Sequence, residues 1–175
     1  ALGRSYLEIA HAGGGIASTM RQTRSASEDE LLARAQGFLA QMVELGVTTV
    51  ECKSGYGLNV DDELKLLRVY RRLADASAAT IVPTFLGAHV VPPEMREHRA
   101  RYVAMLVDEL IPVVARDGLA RCCDVFVEQT AFTIDEARRI LLAGKAVGLA
   151  AKLHADQLDD GGGALLAAEV GALSA

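Results

Sequence analysis

The chain has 175 residues, 51% of them hydrophobic, a net charge of −5 and a sequence pI near 5.4. That size and apolar content imply one good core and exclude a disordered chain. Acidic and basic residues are interspersed without a basic stripe, which argues against a nucleic-acid binder, and no apolar run reaches the roughly 18 residues of a membrane span. Cys52, Cys122 and Cys123 are odd in number, two of them adjacent, with no CxxC spacing. They read as buried, reduced thiols of a cytoplasmic protein.

In chain order, residues 1–24 read as a short helix, a turn at Gly13-Gly14-Gly15 and a polar loop carrying Arg21 and Arg24. Ser27-Glu28-Asp29-Glu30 is a capping box, followed by Leu31, Leu32, Ala35, Leu39, Met42 and Val43 at helical spacing, with Gly46 as the stop. A first strand is predicted over 47–52. Asp61-Asp62-Glu63 then places acids in the first turn of a helix, where the dipole favours them. A second strand is predicted over 80–88, with Pro83 marking a bulge or an edge. After Pro92-Pro93 a long helix is expected over 99–115, kinked or ended by Pro112. A third strand covers 124–127, a second capping box lies at Thr133-Ile134-Asp135-Glu136, and Gly148 ends that helix. A fourth strand covers 149–154, and Gly161-Gly162-Gly163 leads into a short helix over 164–170. Ala1 is not a start methionine, and residues 170–175 read as a helix end entering another strand, so both ends are expected to be cuts within a domain.

Strand and helix alternating at these spacings imply a parallel sheet with helices outside. Each predicted strand ends in polar groups: Lys53-Ser54-Gly55-Tyr56, His89, Glu128, and His154-Ala155-Asp156. Polar side chains gathered at strand C-termini are how a (β/α)₈ barrel builds an active site, although a doubly wound sheet also fits the alternation. Four units are about half of such a barrel. Strand edges left open in this way predict poor solubility or a partner that supplies the other strands.

Alternation puts Glu51 with Lys53, Asp124 with Glu128, and Lys152 with His154 on shared faces. Buried charges must be paired. The five charged residues Glu51, Lys53, Asp124, Glu128 and Lys152 are therefore expected to form a network inside the barrel, with a metal ion supplying the missing positive charge. His154, at a strand tip beside Asp156, can ligate a divalent metal, or it can be a hydrogen-bonded structural histidine. His89, on a loop stiffened by two prolines, suits an acid, a base or a substrate contact, or it bonds to backbone. Tyr56 sits on the tight Ser54-Gly55-Tyr56-Gly57 turn, which can present it to a carboxylate. Arg21 and Arg24 can meet an anion or solvent. The Gly13 run lacks the GK[ST] of a P-loop, no GxSxG occurs, and His11 and His98 read as surface residues.

Tyr6-Leu7-Glu8-Ile9, Gly13-Gly14-Gly15-Ile16, Lys53-Ser54-Gly55-Tyr56-Gly57-Leu58, Thr84-Phe85-Leu86-Gly87-Ala88-His89, Cys123-Asp124-Val125-Phe126, His154-Ala155-Asp156-Gln157 and Leu173-Ser174-Ala175 occur in this order. Together they closely resemble the imidazolonepropionases of the amidohydrolase superfamily, over nearly the whole chain. The resemblance implies a partial TIM barrel of the α/β class, with barrel strands two to five. Residues 1–175 would be the central part of one catalytic domain, truncated at both ends. It implies opening of the cyclic amide of 4-imidazolone-5-propanoate to N-formimino-L-glutamate in histidine degradation, by water activated at one zinc or iron ion. His154 would be the fifth-strand metal ligand; Tyr6, Tyr56 and His89 would contact substrate. His89 and Gln157 would be catalytic, Gln157 standing where some relatives carry a Glu proposed to help activate water. A carboxamide is not a base. No His-x-His pair, which the family uses for two further ligands, occurs in the chain. The partners implied are a small-molecule substrate and, for the full-length protein, a second copy; neither nucleic acid nor membrane is expected. Rival readings are another amidohydrolase, such as a deaminase, or a non-catalytic folding unit.

Overall fold

The computed structural model describes residues 16–158 and 160–175. The expected helix and glycine turn before residue 16, with Tyr6 and His11, lie outside the described residues. The polar loop expected around Arg21 and Arg24 is instead helical, in α1 (Ile16–Ser25). This helix buries Met20 and Thr23, and tertiary docking decides its conformation where local polarity suggested a loop.

Both capping boxes form. Ahead of α2 (Glu28–Glu44), the Ser27 hydroxyl accepts from Glu30 N at 3.2 Å and the Glu30 carboxylate accepts from Ser27 N at 2.8 Å. Thr133 and Glu136 repeat this at α6 (Ile134–Ala146). The strands are β1 (Thr49–Lys53), β2 (Thr80–Ala88), β3 (Cys122–Val127) and β4 (Ala150–Ala155), within two residues of their predicted bounds. Between β1 and β2 lies α3 (Val60–Asp75), capped by the Asn59 side chain. The helix expected over 99–115 is longer and less regular. A 3₁₀ segment (Pro93–His98) leads into α4 (Arg99–Met105), a π turn (Leu106–Leu110), and α5 (Ile111–Arg116). Pro112 has no N–H to give the preceding turn, and the widened π turn just before it lets the helix continue without a break. The last helix is α7 (Gly163–Val170).

All three strand pairings are parallel, in the order β1-β2-β3-β4. Neighbours in sequence are neighbours in space with no reversal of order, so this is part of a (β/α)₈ barrel and not a doubly wound sheet. Beyond β4, Leu173 N donates to Ala151 O at 2.7 Å and Leu153 N to Ser174 O at 3.1 Å, an isolated parallel bridge on the free side of β4. Pro83 lies in a strand paired on both sides, contrary to an edge position. Its carbonyl accepts from Arg121 N, one residue before β3 starts, so the proline is level with the open N-terminal end of β3. The register shift falls later, between Phe85 and Ala88.

One sheet face packs on the helices. Phe85, Cys123, Val125, Ala151 and Leu153 are buried against a layer that includes Tyr102, Leu106, Leu110, Ile140 and Leu141. Each large apolar side chain in it contributes about 1.5–3 kcal/mol. Tyr102, fully buried, donates its hydroxyl to Gly87 O at 2.8 Å, tying α4 to the tip of β2. The free thiols Cys122 and Cys123 are buried and Cys52 is half-buried. Among the described residues, no helix is long and apolar enough to cross a membrane.

Candidate functional site

The opposite sheet face is polar, as alternation requires. Glu51 on β1 accepts from Thr84 Oγ1 at 2.6 Å, from Lys152 Nζ at 2.8 Å, and lies 3.0 Å from Lys53 Nζ. Lys53 reaches across β2 to Asp124 on β3 at 2.6 Å, and Asp124 accepts from His154 Nδ1 at 3.1 Å. Four of the five expected charges are thus linked in one chain that ends at His154. Glu128 is not among them. It lies one residue past β3, and its carboxylate turns to accept from Leu158 N at 2.7 Å. Without it the set is two carboxylates and two ammonium groups, so charge balance does not call for the cation that the five-residue expectation invoked. Burial alone would raise the carboxyl of Asp124, but the hydrogen bonds from His154 and Lys53 outweigh it and hold it below its ordinary value. Glu51 is likewise drawn down to about 2, its donors Lys152, Thr84 and Lys53 overcoming burial.

Above this floor, at the strand C-termini, the turn over residues 54–58 is held from both sides. Inside, the fully buried Glu63 carboxylate accepts from Gly55 N at 3.1 and 3.0 Å, Gly57 N at 2.8 Å and Leu58 N at 2.9 Å. Outside, Arg24 Nε donates to Gly57 O at 2.7 Å, and its guanidinium pairs with Glu94 at 2.6 Å. Arg24 is therefore committed to the turn and to Glu94, not offered to a loose anion. Gly55 has φ 92°, and a Cβ there would meet Leu86 O at 2.6 Å and the His89 Cβ at 3.0 Å, so no other residue allows this approach to the tip of β2.

This approach places His89 Nδ1 3.0 Å from Gly55 O, and a carbonyl can only accept, so Nδ1 carries the proton. Burial is the main cause holding the His89 imidazole below its ordinary pKa, with the Gly55 carbonyl acting in the opposite sense. The His89 ring packs edge-on to Tyr56 at 5.1 Å and lies 6.4 Å from the His154 ring; Phe126 packs beside both imidazoles, at 6.0 and 5.8 Å. The two imidazoles therefore project from one rim. Both bland alternatives hold alongside this: His89 bonds backbone and His154 bonds a buried carboxylate, but each bond uses Nδ1 and leaves Nε2.

Gln157 is exposed on the loop after β4. Asp156, beside His154 in sequence, turns away. Its carboxylate accepts from Gly161 N and Gly163 N, each at 3.0 Å, and from Ala164 N at 2.8 Å, capping α7. His98 is exposed, as expected. Among the described residues, no three His, Cys, Asp or Glu side chains are grouped to hold a metal ion. Sequence reasoning assigned no site role to Glu63 or Thr84, and for Arg24 it offered an anion or solvent in place of the turn and Glu94. For Glu63 the available signal was an acid just past a Gly-Tyr-Gly turn, at a helix start, where exposed backbone amides collect.

No protein-family model matches the chain. It is 57% identical over 173 residues to an imidazolonepropionase of Myxococcus xanthus, 53% over 173 residues to one of Geobacillus kaustophilus, and 54% over 174 residues to one of Symbiobacterium thermophilum. In each case 99% of this chain is covered, and the chain spans 41% of the relative's length. The rim of Tyr56, His89 and His154 thus stands in a chain similar, from nearly one end to the other, to the imidazolonepropionases.

Proposed function

We propose that this chain supplies part of the active-site rim of a cytoplasmic hydrolase that opens the cyclic amide of 4-imidazolone-5-propanoate to N-formimino-L-glutamate in histidine degradation. The observation that carries the reading is the pair of imidazoles, 6.4 Å apart on one rim, each with Nδ1 occupied by an internal acceptor.

His154 fits a zinc or iron ligand through Nε2. Its Nδ1–H is given to a buried carboxylate, the arrangement that fixes the tautomer and orientation of a metal-binding histidine. The remaining ligands belong to residues other than those described. When bound, such an ion lowers the pKa of water and polarises a carbonyl. Asp124 holds the His154 ring, and Lys53 holds Asp124. His89, neutral with its proton on Nδ1, meets the substrate as an acceptor at Nε2 and so suits an N–H of the imidazolone ring. Tyr56 packs edge-on to that imidazole and stands on the same rim. Tyr6 completes the substrate contacts, and Gln157, without a basic group, orients water by hydrogen bonding instead of taking its proton.

The test is turnover of 4-imidazolone-5-propanoate by the intact protein, followed through the ultraviolet absorbance of the ring, with metal content measured in parallel. His154→Asn is expected to lose metal and activity together. His89→Asn is expected to keep the metal and lose about 100-fold or more in kcat/KM. Full activity in His154→Asn, or no turnover by the unaltered protein, would overturn the reading.

A further inference from the structure

Glu63 is the most deeply placed charge that this chemistry does not use. It is fully buried, and it sits under the turn whose carbonyl fixes the proton of His89. Gly55 N and Gly57 N, both bound by the Glu63 carboxylate, bracket the peptide unit that carries the Gly55 carbonyl. These bonds fix the peptide units on either side of it, and with them the two Cα positions between which the Gly55 carbonyl projects. Gly55 has little room to shift, because a Cβ added there would already meet Leu86 O at 2.6 Å and the His89 Cβ at 3.0 Å. A purely structural need for acceptors under the turn is met by any carbonyl or hydroxyl. A single carboxylate gathering the amides of Gly55, Gly57 and Leu58 holds the turn on both sides of that carbonyl at once.

We propose that Glu63 is a positioning residue for His89: by clamping the amides on either side of the Gly55 carbonyl, it keeps the imidazole proton on Nδ1 and presents Nε2 to the substrate as an acceptor. This rests on the assignment of His89 as a substrate-facing group. Glu63 itself, shielded beneath the turn, touches no substrate. With the clamp loosened, the Gly55 carbonyl swings, the Nδ1–H loses its acceptor, and the neutral ring redistributes its proton to Nε2. A ring with its proton on Nε2 offers a donor where the substrate also has one.

The experiment reads the tautomer directly, by ¹⁵N NMR of the intact protein without substrate, the His89 signals being assigned by their loss in His89→Asn. The unaltered protein is expected to show Nδ1 protonated and Nε2 bare. In Glu63→Gln the Nε2–H form is expected to rise at least about fivefold, the loss of roughly one hydrogen bond. With 4-imidazolone-5-propanoate, kcat is expected to fall about 10- to 100-fold with KM little changed, as misorientation at a reacting centre produces. A folded Glu63→Gln protein with unaltered His89 nitrogen shifts would overturn the proposal. Should that variant not fold, Glu63→Asp, which keeps the charge but withdraws it by one methylene, is read in the same way; unaltered shifts there overturn it too. Because the tautomer is measured without substrate, absent turnover would sink the assigned reaction alone, and unchanged nitrogen shifts would sink the role of Glu63 alone.

Discussion

Replacing Glu51 by Gln removes the carboxylate that joins Lys53, Lys152 and Thr84. Lys53 retains Asp124, but Lys152 keeps no carboxylate within reach among the described residues. Breaking one partner out of a fully buried ion pair costs about 3–5 kcal/mol. The side chain of Glu51 is 27% exposed and that of Lys152 15%, so solvent screening brings the expected cost at neutral pH to about 1–3 kcal/mol. The pH dependence is the sharper test. Glu51 titrates near 4.5 when unfolded and at about 2 in the folded chain. Its folded pKa is depressed, so its stabilisation is complete above pH 4.5 and is lost as pH falls toward 2. At about 1.4 kcal/mol per pH unit the upper bound is ~3.5 kcal/mol, reduced by exposure to the same range as the mutational cost. Urea unfolding of both proteins at pH 7, 4 and 3 should show the stability gap shrinking to roughly half by pH 3. A gap that stays constant over this range, or no gap at pH 7, would refute the internal pairing of Glu51.

Thr133→Ala removes one of the two reciprocal cap bonds of α6 and should cost about 1 kcal/mol in urea unfolding. Tyr102→Phe leaves the Gly87 carbonyl without its donor and should lower stability by about 1–2 kcal/mol, measured as a shift in Tm. Gly57→Ala places a Cβ 2.5 Å from Asp62 C and Glu63 N, backbone atoms that cannot step aside. It should cost about 1–3 kcal/mol and speed proteolysis at residues 54–58, whereas a neutral result would mean that the turn is looser than its contacts imply.

What the sequence disclosed were features that depend on near neighbours or on strict periodicity. Ser27 with Glu30 and Thr133 with Glu136 are three apart, and their bonds follow from spacing alone. The inward sharing of Glu51 with Lys53 and of Lys152 with His154 follows from a period of two, and from it most of the charged floor. Features set by chain reversal were hidden. Arg24 reads as a loop residue until the turn at Gly57, 33 residues on, gives it carbonyls to bind. Thr84 enters the floor only because β2 lies beside β1 in this register. Glu128 obeys the alternation yet leaves the network, because the strand ends one residue before it and the loop after β4 offers Leu158 N. Glu63 was read for its helix dipole, while its main partners are amides of a turn five to eight residues earlier.

The two carboxylates and two lysines beneath the rim cancel one another. An array whose monopole vanishes has a potential that decays much faster with distance than that of a lone ion, so an approaching solute senses little of it. The four groups can therefore brace the barrel wall and orient His154 without attracting or repelling whatever enters the mouth. Discrimination between anionic and cationic visitors is left to the few side chains on the lip, where one substitution can reverse it without disturbing the foundations.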